Sequence, residues 1–137
     1  MLFHEIQNNT ELKWSIEVTE KLINNFAEAI NDFNPLHISD DKAINAGFKA
    51  RIFHGAGLFG IISSGVANKL PGPGSILLKS DLKFVAPAFL GDKLTCSIFV
   101  IKKYKVNNTV ALSCLITDSS YKKILTGNLT VLVSNSE

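Results

Sequence analysis

The stretch Ala56-Gly57-Leu58-Phe59-Gly60-Ile61-Ile62-Ser63-Ser64-Gly65-Val66-Ala67-Asn68-Lys69-Leu70 decides the fold. It belongs to the longest uncharged run of the chain, Ile52 to Asn68, and carries no charge until Lys69. Four glycines, two serines, a histidine and an asparagine in that run argue against a membrane span. A segment that is apolar nearly all round must instead be surrounded by protein, most simply by a sheet wrapped about it. Gly57, Gly60 and Gly65 weaken it as an isolated helix. They permit close approach of its backbone to strands or to a ligand.

Downstream, Pro71-Gly72-Pro73-Gly74 ends the helix in a tight connection. Four strand patterns follow. Their apolar faces read Ile76, Leu78, Leu82 and Phe84; then Leu94, Cys96, Ile98 and Val100; then Val110, Leu112, Cys114 and Ile116; then Leu125, Leu129, Val131 and Val133. Turn residues separate them at Pro87 to Asp92, Asn107-Asn108 and Asp118 to Ser120. Upstream, Leu12, Trp14, Ile16 and Val18 alternate with polar residues as a half-buried strand does. Thr19 is a cap for a helix from about Glu20 to the break at Pro35, with Leu22, Ile23, Phe26, Ala29, Ile30 and Phe33 at helical spacing. Ser39 caps a short helix that Gly47 closes. The expected fold is α+β: one domain, residues 1–137, with a five-stranded antiparallel sheet around a long central helix, and a frayed tail over Ser134 to Glu137.

Composition narrows the function classes. Apolar residues make up 46% of the 137 residues and charged residues 19%, as in a compact globule. The net charge of +2 comes with lysines spread along the chain, which leaves no basic footprint for nucleic acid. Cys96 and Cys114 lie far apart without the paired Cys/His spacing of a zinc site, so free buried thiols are expected. The start, Met1-Leu2-Phe3-His4-Glu5, lacks the basic and apolar regions of a secretory signal, and a cytoplasmic location is the default expectation.

Chemistry concentrates in Asn31-Asp32-Phe33-Asn34-Pro35-Leu36-His37 and in His54-Gly55 at the mouth of the apolar segment. Side chains five apart do not meet on a continuous helix. Pro35 resolves this by forcing Asn34 out of the helical region, which places Asp32 in the last turn of the first helix and His37 beyond a bend. Asp32 and His37 then converge as an acid and base pair, with Asn34 bracing the bend. The same residues also make an ordinary turn. Gly55 opens the buried helix, and neither Phe53 nor His54 is a good side-chain cap, so backbone N–H groups there are left for an anion. His54 is read as the donor of one structural hydrogen bond without a part in the chemistry.

These motifs, with Leu70-Pro71-Gly72-Pro73-Gly74-Ser75 and the segment from Phe84 through Pro87 to Gly91-Asp92, resemble the MaoC-like, (R)-specific enoyl-CoA hydratase family. The resemblance is continuous in order from about Phe26 to Leu94. It implies a hot-dog fold and the interconversion of a trans-2-enoyl thioester with the (3R)-3-hydroxyacyl thioester, without metal or other cofactor. Asp32 and His37 would hold and activate the water, Gly55 would donate its amide to the thioester oxygen, and Ser63 would position substrate. Which of Asp32 and His37 is acid and which is base stays open, as does the carrier, CoA or acyl carrier protein. The resemblance further implies a homodimer or higher homo-oligomer. Two departures stand out: Asn31 replaces the glycine before the acid, and Ala56-Gly57 replaces a bulky residue after His54-Gly55, which would enlarge the acyl pocket. Alternatives are a 3-hydroxyacyl-carrier dehydratase of fatty acid synthesis, a hot-dog thioesterase, and a non-catalytic acyl-CoA-binding module.

Overall fold

The computed structural model describes residues 1–134; the remainder of the expected tail lies outside them. After a 3-10 turn at Phe3–Glu5, the chain forms β1 (Glu11–Glu17), α1 (Glu20–Ile30), α2 (Pro35–Ile38), α3 (Asp40–Asn45) and α4 (Gly55–Asn68). Four strands complete it: β2 (Ile76–Phe84), β3 (Lys93–Tyr104), β4 (Thr109–Thr117) and β5 (Lys123–Leu132). They make one antiparallel sheet in the order β1-β3-β4-β5-β2. Leu58, Ile61, Ile62 and Val66 of α4 pack into one core with the alternating residues of β3, β4 and β5. This is the expected hot-dog arrangement, a sheet curled over one helix. No helix among the described residues is long and apolar enough to cross a membrane.

Local chemistry sets the helix starts. Thr19 accepts from the Leu22 amide at 3.0 Å and Ser39 from the Lys42 amide at 3.2 Å, each removing one unpaired donor from a first turn. Gly47, at φ 95°, ends the α3 excursion by donating its amide to the Ile44 carbonyl at 3.0 Å.

Three expectations need correction. First, α1 ends at Ile30, one turn before Pro35, because Asn31 takes the left-handed conformation (φ 59°, ψ 39°) and folds the chain back. The Asp32 amide donates to the Ala27 carbonyl at 2.9 Å, so Asp32 lies beyond the helix and not in its last turn. Asparagine is one of the few residues to adopt this conformation readily, and so stands in for glycine here.

Second, Ile76, Leu78, Leu82 and Phe84 do not share one face of β2. Leu77 pairs with Val131 and Lys79 with Thr130, so Leu78 is an extra residue in the strand and alternation reverses across it. Leu77 and Leu82 pack against the core, whereas Ile76 and Leu78 are each 55% exposed and Phe84 52%.

Third, Gly57 does not open space. A Cβ there would stand 2.4 Å from the Phe53 ring, so Phe53 already fills the volume that a larger residue 57 would take.

Candidate active site

The site is assembled from three segments that each present one polar group. Pro35 at the first helical position and the Asn34 side chain, which accepts from the Leu36 amide at 3.1 Å, start the single turn of α2. That turn carries His37, 8% exposed. Its Nδ1 lies 2.8 Å from the Ile52 carbonyl, and the Ile52 amide returns a bond to the Leu36 carbonyl at 3.1 Å. A carbonyl only accepts, so Nδ1 carries the proton and neutral His37 keeps its lone pair on Nε2.

Arg51 holds the other end of α2. It is 4% exposed, and its Nε donates to the His37 carbonyl at 2.6 Å. One terminal nitrogen donates to Asn24 Oδ1 at 2.5 Å and the other reaches Glu20 Oε1 at 3.5 Å, so one planar guanidinium links α1 to the histidine turn. Sequence reading passed over Arg51. The available clue was that it is the chain's only arginine, set among lysines.

Asp32 sits in the loop between α1 and α2. Its Oδ1 accepts from the Asn34 amide at 3.2 Å, which leaves Oδ2 for other partners. Its carbonyl accepts from His54 Nε2 at 3.0 Å, so His54 is the Nε2–H tautomer. His54 is 1% exposed and its ring stacks on His37, with centroids 3.8 Å apart and planes at 23°. The edges and faces of Phe26 and Phe53 enclose it at 5.1 and 5.9 Å. Its Nδ1 is buried with no partner among the described residues, a condition that costs about 1–3 kcal/mol for an unsatisfied polar atom. Burial pushes the His54 imidazole below its ordinary value and His37 adds to this, against the raising effects of the Asp32 carbonyl and carboxylate.

An Asp32 oxygen and one ring nitrogen each of His37 and His54 lie within 4.8 Å of one another. At hydrogen-bond lengths of about 2.8 Å, that separation suits one water between carboxylate and imidazole. It suits a metal poorly. An imidazole binds a metal in its ring plane at about 2.0–2.1 Å, and two nearly parallel rings stacked face to face do not direct their lone pairs to one point.

Gly55 is the first residue of α4, beside these rings, and His54 as the preceding residue makes no side-chain cap. Gly57 and Leu58 donate to the His54 carbonyl at 2.9 and 3.1 Å. The amides of Gly55 and Ala56 have no acceptor among the described residues, the condition that an oxyanion would satisfy. A Cβ at Gly55 would meet the Phe84 ring at 3.2 Å, which puts that exposed edge-strand residue next to the free amides. Ser63 is not brought to the pair. It lies two turns along α4, about 12 Å from Gly55 at helical rise, half-buried and without a hydrogen bond among the described residues. The return bond expected of a helical serine is made by Ser64, to the Ile61 carbonyl at 2.6 Å. Cys96 and Cys114 are free and buried, their thiols pushed up by burial to about 12 and about 11, which removes them as nucleophiles near neutral pH.

Residues 3–118 match the family model described as MaoC like domain. The chain is 33% identical over 131 residues to an (R)-specific enoyl-CoA hydratase of Rhodospirillum rubrum, covering 96% of this chain and 90% of that one. Among solved structures, the unliganded R-hydratase PhaJ1 of Pseudomonas aeruginosa superposes with a TM-score of 0.93 at 28% identity, covering 98% of this chain and 86% of that one. The (R)-hydratase of Aeromonas caviae involved in PHA biosynthesis gives 0.90 at 28% identity, over 94% and 98%. With a family model matching residues 3–118 and a relative 33% identical over 96% of its length, the chain belongs to the MaoC-like family.

Proposed function

We propose that this protein is an (R)-specific enoyl-CoA hydratase, adding water to a trans-2-enoyl thioester to give the (3R)-3-hydroxyacyl thioester and catalysing the reverse dehydration. One observation supports the reading: a carboxylate and an imidazole, each with one polar atom already occupied, bring an oxygen and a ring nitrogen within 4.8 Å of each other, beside two helix amides that have no acceptor among the described residues. Asp32 works through Oδ2, since Asn34 holds Oδ1. His37 works through Nε2, since Ile52 holds Nδ1. One takes a proton from the water as its oxygen bonds to the β-carbon, and that proton, shared across the gap between the two groups, is the one delivered to the α-carbon, so both groups end in the states in which they began. The electron pair of the double bond moves toward the thioester oxygen, where the Gly55 and Ala56 amides meet the developing charge. Ser63, two turns along α4, is assigned to the acyl or carrier portion of the substrate.

The test is hydration of crotonyl-CoA, followed as loss of the enoyl thioester absorbance. Asp32→Asn and His37→Gln should each lower kcat by at least about a hundredfold, the lower end of general acid-base contributions. Wild-type protein inert toward short and medium enoyl thioesters on both CoA and acyl carrier protein would refute the assignment. Release of free thiol would point to a thioesterase instead.

The working unit is proposed to be a homodimer. β2 is an edge strand whose Ile76, Leu78 and Phe84 are more than half exposed, and an unpaired apolar edge is a template for a second copy. A cytoplasmic location accompanies this reading, in keeping with two unpaired cysteines.

A further inference from the structure

We infer that His54 is a positioning residue for the hydration chemistry, orienting Asp32 through its Nε2–H and His37 through its ring face. The inference rests on the acid-base reading of Asp32 and His37 above. Two independent contacts carry it: the 3.0 Å bond from Nε2 to the Asp32 carbonyl, and the 3.8 Å stack on His37. These are the only described contacts that connect one ring to both members of the pair. His54 is also the residue before Gly55, so the same ring ties the pair to the free amides at the start of α4. The three parts of the site therefore share one rigid element.

An alternative is that His54 merely fills space between Phe26 and Phe53. A phenylalanine would do that without burying an unpartnered Nδ1. The histidine is explained by what phenylalanine lacks, a donor aimed at the Asp32 carbonyl. The titratable groups that face the ring are Asp32 and His37. A charge on His54 would oppose a proton on His37, so the device requires a neutral His54 while His37 takes and releases its proton. Its stacked face also limits rotation of the His37 ring, whose Nδ1 is already bonded.

Two variants separate the two contacts. His54→Phe keeps a ring and removes the donor; His54→Gln keeps a donor and removes the ring. Both are expected to lose between about tenfold and a hundredfold in kcat on crotonyl-CoA with KM within about twofold of wild type, the effect of misplaced rather than missing catalytic groups. The pH dependence of kcat/KM should shift in His54→Gln, because the ring stacked on His37 is then gone. The same protein, labelled with nitrogen-15 in histidine, gives a readout independent of turnover. In wild type His54 should titrate below its ordinary value, as the Nε2–H tautomer when neutral, and His37 should hold its Nδ1–H form when neutral; in His54→Gln the His37 tautomers should mix. Wild-type kcat and pH profile in both variants would overturn the inference. So would a wild-type His54 that titrates near its ordinary value or carries its proton on Nδ1, and that measurement stands even if both variants fail to fold. An inert wild type with the expected tautomers would refute the hydratase reading and leave His54 as the residue that orders the pair.

Discussion

At the scale of single residues, the site is an arrangement of atoms already spoken for. Ile52 occupies His37 Nδ1 and Asn34 occupies Asp32 Oδ1, which leaves Nε2 and Oδ2 for other partners. His54 adds a consequence for stability. Its folded value is depressed by burial, so as pH falls below about 6.5 the unfolded chain takes up a proton before the folded one does. Stability is therefore intact above that pH and declines through the acid range. Thermal melts between pH 5 and 7.5 should show a steeper acid loss for wild type than for His54→Phe; parallel curves would contradict the assignment. Arg51 is the second such residue. Arg51→Met removes the donor to the His37 carbonyl and should cost about 1–3 kcal/mol in urea unfolding. Almost none of that would come from Glu20, whose side chain is 71% exposed. Arg51→Lys keeps the charge without the planar fork and should recover little of the loss.

At the scale of elements, α4 is held by rings set on its glycines. Gly65 shows the balance of effects. Alanine is the better helix former by about 1 kcal/mol. Yet a Cβ at position 65 would lie 2.4 Å from the Trp14 indole on β1 and within 3 Å of two more of its carbons. Overpacking of this kind costs about 1–3 kcal/mol, so Gly65→Ala should destabilise in spite of its propensity, and chemical denaturation measures the sign. Gly65→Ala combined with Trp14→Leu should lose this penalty. The same logic applies at Gly57, where the Phe53 ring already fills the volume that a side chain would take.

At the scale of the whole molecule, the sheet has two free edges of different character. Both carry charges, Glu11, Lys13 and Glu17 on β1 and Lys79, Asp81 and Lys83 on β2, but β2 also leaves Ile76, Leu78 and Phe84 more than half exposed. Replacing Ile76 and Leu78 together with lysine should convert the proposed dimer into a folded monomer in sedimentation; an unchanged sedimentation coefficient would place the interface elsewhere. Much of this architecture was legible beforehand. The uncharged run around Gly60 demanded an enclosing sheet, the alternation in β3, β4 and β5 matched its burial, and Thr19 and Ser39 made the caps their side chains favour. Such features were readable because the periodicity of burial and the hydrogen bonds of caps are decided within a few residues. The folded chain alone decided that Ile52 and Arg51 hold His37 across 15 and 14 residues, that His54 reaches Asp32 across 22, and that one extra residue turns Leu78 outward. Those outcomes depend on which segments the packed core brings into contact, and no local pattern encodes a contact made only after distant loops have closed.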